Sequence, residues 1–119
     1  MKKFIAFQAI AMALYHFYLP YQFQWFNFLD QTSPTINWAL IALNNYFSFN
    51  LLVLGLAVLF YKKSKLPVLL LTIFWTFSFI YQIYSPMPIP KHLNFLVWLL
   101  PSLALGNAFL ALVYIWKNR

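Results

Sequence analysis

Apolar residues run along this chain in four long blocks, separated by clusters of polar, basic or proline residues. A helix that crosses a bilayer needs about 20 mostly apolar residues. Against that length the blocks are predicted spans at residues 4–19, 36–61, 66–84 and 93–116. The first carries on past Pro20 as an aromatic stretch, residues 20–29, where Tyr21, Phe23, Trp25, Phe26 and Phe28 interleave with Gln22, Gln24 and Asn27. That mixture suits an interfacial extension, because aromatic rings with polar neighbours settle at headgroup level. Ser33-Pro34-Thr35 supplies a break and a start signal for the second span. Residues 85–90 place proline at every second position from Pro86 to Pro90. They cannot be helical and are expected to form a short, stiff connector. The pattern predicts an all-α protein, one four-span transmembrane domain over residues 1–119, folded as an integral membrane four-helix bundle. Lys2, Lys3 and the Ala11-Met12-Ala13 run also fit a cleavable leader. Apolar character continues past Ala13 without a break, which favours a retained helix.

Composition removes the soluble alternatives. The chain is 64% hydrophobic and 8% charged, against about 45–50% and about 25% in soluble domains. Disorder needs the opposite bias. A net charge of +7 in a soluble chain would suggest a nucleic-acid partner, but here its distribution matters more than its sum. Lys2 and Lys3 precede the first span, Lys62, Lys63 and Lys65 join the second to the third, and Lys117 and Arg119 follow the fourth. Four crossings put these segments on one side, which the positive-inside rule makes cytoplasmic. Both termini are therefore expected inside, with Lys91 and Asp30, the sole acid, outside. The expected partners are the lipid bilayer and its anionic headgroups, with no nucleic acid. The expected location is a bacterial inner or other energy-transducing membrane.

The same scarcity of acid limits the chemistry. With one Asp, no Glu and no Cys, paired carboxylates, acid-dependent triads, thiolate metal sites and cysteine nucleophiles lack their parts. Gly55 and Gly106, the two glycines, both lie in spans, so no glycine-rich phosphate loop exists.

Polar side chains inside spans then carry what remains, since a bilayer core offers them no water. Ala6, Ala9, Ala13 and His16 share one face of the first span, which points the imidazole into the bundle. Pro20 has no N–H to give the carbonyl four residues back, that of His16, so a helix continuing past Pro20 leaves this carbonyl free. In the second span Asn37, Asn44, Ser48 and Gly55 form a stripe, with Asn45 beside it and Asn50 pointing elsewhere. The third span carries Thr72 and Thr76 on one face and Trp75, Ser78 and Gln82 on another. The fourth has Asn94 at its outer end, Pro101 as a kink site, then Ser102, Gly106 and Asn107. The inner half is mostly aliphatic, with Gln8 and Asn107 as exceptions. This asymmetry predicts a ligand pocket or a buried hydrogen-bond cluster towards the outer leaflet. Its candidate residues are His16, Asn44, Asn45, Ser48, Tyr81, Gln82 and Asn94.

For His16 a structural role means a neutral imidazole bonded to Asn44 or Asn45. The functional alternatives are a haem b ligand, a hydrogen bond to a quinone, or proton transfer. Met12 with His16, opposite Met87 and His92, also offers soft ligands for copper. His92 otherwise reads as a solvated interfacial residue, and most of the aromatic residues as lipid-facing.

Several short features are similar to those of the small four-span bacterial membrane families grouped with the DoxX-like proteins. They are His16 followed by Trp25, Asn44-Asn45-Tyr46 running to Asn50-Leu51, and Leu100-Pro101 inside the fourth span. The resemblance implies the same four-span fold. Where the similar family carries an acid shortly after the His, this chain has Tyr21-Gln22, so acid-dependent activity is not expected. The expectation for function is a small, non-enzymatic membrane protein. It binds a lipid- or quinone-like ligand in the outer pocket or serves as an accessory subunit, as a homo-oligomer or within a larger complex. The alternative is a membrane redox protein using His16 with haem b or quinone.

Overall fold

The computed structural model describes residues 1–28, 33–61, 63–85, 91 and 94–118. Its helices are α1 (Lys2–Gln22), α2 (Trp25–Phe28), α3 (Pro34–Phe60), α4 (Leu66–Tyr84) and α5 (Leu96–Lys117). Four regions are long and apolar enough to cross a membrane, the first of them running from Lys2 to Asn27. The described residues extend over 53 × 26 × 20 Å, so the long axis exceeds a hydrocarbon core of about 30 Å.

The boundaries follow local chemistry. Pro34 occupies the first turn of α3 and Pro67 that of α4, where a missing N–H costs nothing. Proline inside a helix is different, and both α1 and α5 continue through one, Pro20 and Pro101. After α1 the backbone turns at Gln24, which takes φ 50°, and α2 follows as one short turn of the aromatic segment. α5 starts at Leu96, three residues later than the expected span, because Asn94 and Phe95 form a turn in which their carbonyls accept from Val97 and Trp98. The expected proline connector at 86–90, Asp30, Lys62 and His92 lie outside the described residues.

The bundle is built as two pairs. α1 lies along α3 and α4 along α5, while contact between the pairs is thinner. Lipid is as apolar as leucine, so in a membrane these pairs are held by close packing and interhelical hydrogen bonds. Each pair sets a helix with an alanine face against one with larger side chains. α1 buries Ile5, Ala6, Ala9 and Ala13, and α3 meets it with Ser48, Leu51, Gly55 and Val58. α5 buries Ala104, Ala108 and Ala111, and α4 offers Val68, Leu71, Thr72 and Trp75. The approach is closest at Gly55. A Cβ there would lie 2.8 Å from Ile10 Cγ1, 3.2 Å from the Ala6 carbonyl oxygen and 3.2 Å from Ala9 Cβ. Gly106 is the opposite case. Its Cβ would meet nothing within 4 Å, and both it and Ser102 are exposed. Small residues let helices approach closely, but Ser102 and Gly106 are not packing contacts, because among the described residues no helix lies over that side of α5.

Lysines close one end of the bundle. Lys2 Nζ donates to the carbonyls of Tyr61 (2.9 Å) and Ser64 (3.4 Å), and Lys65 Nζ donates to that of Asn118. Tyr61 and Asn118 are the C-caps of α3 and α5. Helix C-termini carry unpaired carbonyls and the negative end of the dipole, so a cation is well placed there. These bonds gather the amino terminus, the 61–65 connection and the end of α5 at one pole.

Candidate functional site

At the pole away from the lysines, side chains from α1, α3, α4 and α5 surround a cavity of about 230 Å³. α1 contributes Met12, Tyr15, His16 and Leu19, and α3 contributes Phe47. α4 supplies Trp75, Ser78, Tyr81, Gln82 and, just past its end, Ser85, while Leu100 of α5 closes the far wall. The cavity lies at the junction of the two helix pairs. There the small-residue faces that draw helices together end, and bulkier rings take over.

Those rings form a continuous series. The His16 imidazole packs on Phe47 with centroids 4.6 Å apart and planes at 60°. Phe47 meets Phe74 at 5.1 Å, and Phe74 meets Trp75 edge to face at 4.9 Å. Separations and tilts of this kind are favoured by the ring quadrupoles. The series links α1 through α3 to α4 and fixes the orientation of His16 by contact. Among the described residues the imidazole has no hydrogen-bond partner, so its nitrogens remain for whatever occupies the cavity. A polar pair faces it from α4, where Gln82 Nε2 donates to Ser78 Oγ at 2.8 Å. That leaves the Gln82 amide oxygen and its second N–H uncommitted. Together the walls are apolar rings, with an imidazole on one side and an amide and hydroxyls on the other. This inventory can orient a flat, uncharged headgroup by donating and accepting hydrogen bonds.

Of the residues expected at this site, His16, Tyr81 and Gln82 line the cavity. Asn44 and Ser48 do different work. Asn44 Nδ2 donates to the backbone carbonyl of His16 at 2.8 Å, and Ser48 Oγ donates to the Asn44 carbonyl at 2.7 Å. A structural role for His16 would bond its imidazole to Asn44 or Asn45, but the Asn44 amide reaches instead the main-chain carbonyl that Pro20 deprives of its helical donor. Asn45 is one residue on and therefore about 100° round the helix. It lines a second, more open cleft of about 370 Å³ with Phe17, Pro20, Tyr21, Phe26 and Ile41. Asn94 is exposed and does not line either space.

No protein family, no curated protein and no solved structure matches this chain.

Phe47 and Tyr15 carry no signal in the sequence, whereas Met12 stands there only as a soft ligand beside His16 and Leu100 only as the neighbour of Pro101; all four line the cavity. Trp75, Ser78 and Gln82 were recognised as one face of the third span, and that face does front the cavity. Thr72, by contrast, turns its hydroxyl back to the Val68 carbonyl at 2.8 Å, as buried helical threonines commonly do. Among the described residues no group of three or more His, Cys, Asp or Glu is positioned to hold a metal ion.

Proposed function

We propose that this protein is a non-enzymatic, four-span membrane protein that holds the headgroup of a quinone-like lipid in the cavity beside His16. The reading rests on one observation. An oriented imidazole with no protein partner among the described residues faces an amide and hydroxyls across a ring-lined space at the junction of four spans. A quinone ring needs flat apolar walls and a hydrogen-bond donor for each carbonyl, and the reduced form needs acceptors. An imidazole nitrogen and the Gln82 amide supply both kinds of group. About 230 Å³ lies below the roughly 300–1,000 Å³ of drug-sized pockets, so it suits one substituted ring with its tail in lipid. A porphyrin macrocycle needs more room, which argues against the haem b alternative.

The basic pole is assigned to the cytoplasm by the positive-inside rule. On this reading both termini lie inside and the cavity opens to the outer leaflet, and the membrane is taken to be a bacterial inner membrane. The resemblance to DoxX-like proteins fits the same arrangement. An accessory-subunit role within a larger membrane complex is compatible with ligand binding and is distinguished by co-purification.

Trp75 makes the test direct, because it lines the cavity and quinones quench indole fluorescence. Titrating a short-chain quinone into protein in nanodiscs is expected to give saturable quenching. Trp75→Phe should remove most of it, and His16→Leu should weaken binding about tenfold, as expected for one lost hydrogen bond in an apolar site. Non-saturable quenching that is indifferent to both variants refutes the reading. An absorption spectrum after expression with haem decides the redox alternative, since a Soret band would establish it.

A further inference from the structure

We propose that the outward face of α3 is the contact surface for a second copy of this chain, with Asn50 of each copy hydrogen-bonded to its counterpart. Asn50 lies 16 residues beyond Pro34 and 10 before Phe60 on α3, about 24 Å and 15 Å along the axis at ~1.5 Å per residue. A hydrocarbon core of about 30 Å centred on this helix therefore encloses it on both sides. Its side chain is exposed, and among the described residues it has no hydrogen-bond partner. An amide carries two donors and an acceptor, and lipid tails satisfy none of them.

The residues around it form a seam. Leu43, Tyr46, Val53 and Phe60 are all exposed, and with Asn50 they follow one another at intervals of three, four, three and seven. This heptad places the asparagine at a core position of a two-helix contact. Exposed faces with the same spacing exist on α4 and α5, where the polar members are Thr76 and Ser102. Hydroxyls can bond back to their own helix, so those faces are complete against lipid. Asn45, the other exposed amide within a long helix, opens onto the cleft beside Pro20 and Tyr21. Asn50 is the one placed on an otherwise apolar outer face.

The bilayer itself points to a second copy as the occupant. Every copy enters the membrane in the same orientation, so a symmetric pair has its two-fold axis along the membrane normal. Residues on the seam then meet their own counterparts at equal depth. An amide is its own complement, since each can donate to the other, and the contact is isologous. A buried asparagine at such a position also fixes register.

The sequence has no cysteine, which makes disulfide mapping clean. Single-cysteine variants Leu43→Cys and Val53→Cys on the seam are compared with Ile73→Cys on α4 and Phe109→Cys on α5, all oxidised in native membranes. Seam variants are expected to give a cross-linked dimer of this chain, and the other two none. Equal cross-linking from all four positions, none from any, or seam cross-links only to a different protein overturns the proposal. Energy transfer between labelled copies in lipid vesicles tests the amide separately. Asn50→Leu should raise the dissociation constant about tenfold, from two lost interhelical bonds, while Asn50→Gln retains association. Unchanged affinity in Asn50→Leu overturns the role given to Asn50, and the helical circular dichroism of each variant confirms that folding is intact.

Discussion

Pro20 and Asn44 form a linked pair whose energetics can be isolated. Pro20 cannot donate to the His16 carbonyl, and the amide of Asn44 does so from the neighbouring helix at 2.8 Å. Asn44→Leu keeps the branched shape at the γ position but orphans that carbonyl. Interhelical bonds in membranes average ~0.6 kcal/mol and reach ~1.7, and an orphaned buried acceptor costs about 1–3 kcal/mol. The site is half-buried, so a loss of about 1–2 kcal/mol is expected. Pro20→Ala supplies the missing N–H from within α1. In that background the same Asn44→Leu change should cost about 1 kcal/mol less, because the carbonyl already has a donor. The measurement is reversible unfolding of the four proteins in mixed micelles with rising SDS, followed by circular dichroism. An equal cost in both backgrounds, to within ~0.3 kcal/mol, would falsify the idea that the asparagine substitutes for the absent backbone donor.

Two further substitutions probe the packing. Gly55→Ala gains up to about 1 kcal/mol of helix propensity but forces a Cβ to 2.8 Å from Ile10 Cγ1, an overpacking cost of about 1–3 kcal/mol. Gly106→Ala has the same propensity gain with nothing within 4 Å, so its midpoint should rise while that of Gly55→Ala falls, and a reversed order contradicts the packing described. Asn107 is 5% exposed and has no hydrogen bond among the described residues. Replacing it with the like-shaped Leu should be neutral or raise the unfolding free energy by about 1 kcal/mol, which the same SDS titration reads.

The spans and the free His16 carbonyl were legible in the sequence because both depend only on local rules, hydrophobic run length and the chemistry of proline. What the carbonyl pairs with was not, since a helical wheel gives an angle without naming the neighbour at that angle. Asn44 and Asn45 show the difficulty. As adjacent residues they looked like one polar feature, yet one is bonded to α1 and the other faces a separate cleft. Gly106 and Ser102 show a second difficulty. Small residues permit close approach but do not supply a helix to approach, and among the described residues none lies over them. Phe47 escaped notice because a phenylalanine in a chain with 14 of them carries no signal until its contact with His16 is known.

The pairing of α1 with α3 and of α4 with α5 has a consequence for biogenesis. Each pair is a hairpin of two consecutive long helices that makes most of its contacts within itself, and α1 with α3 is complete before α4 and α5 are synthesised. The chain is therefore assembled from two insertion units joined by the short lysine-bearing segment, and docking of the finished hairpins is the step that closes the space beside His16. A protein severed within residues 61–65 and expressed as two fragments should still reassemble. The cavity would then be the last part of the molecule to form and the first to open.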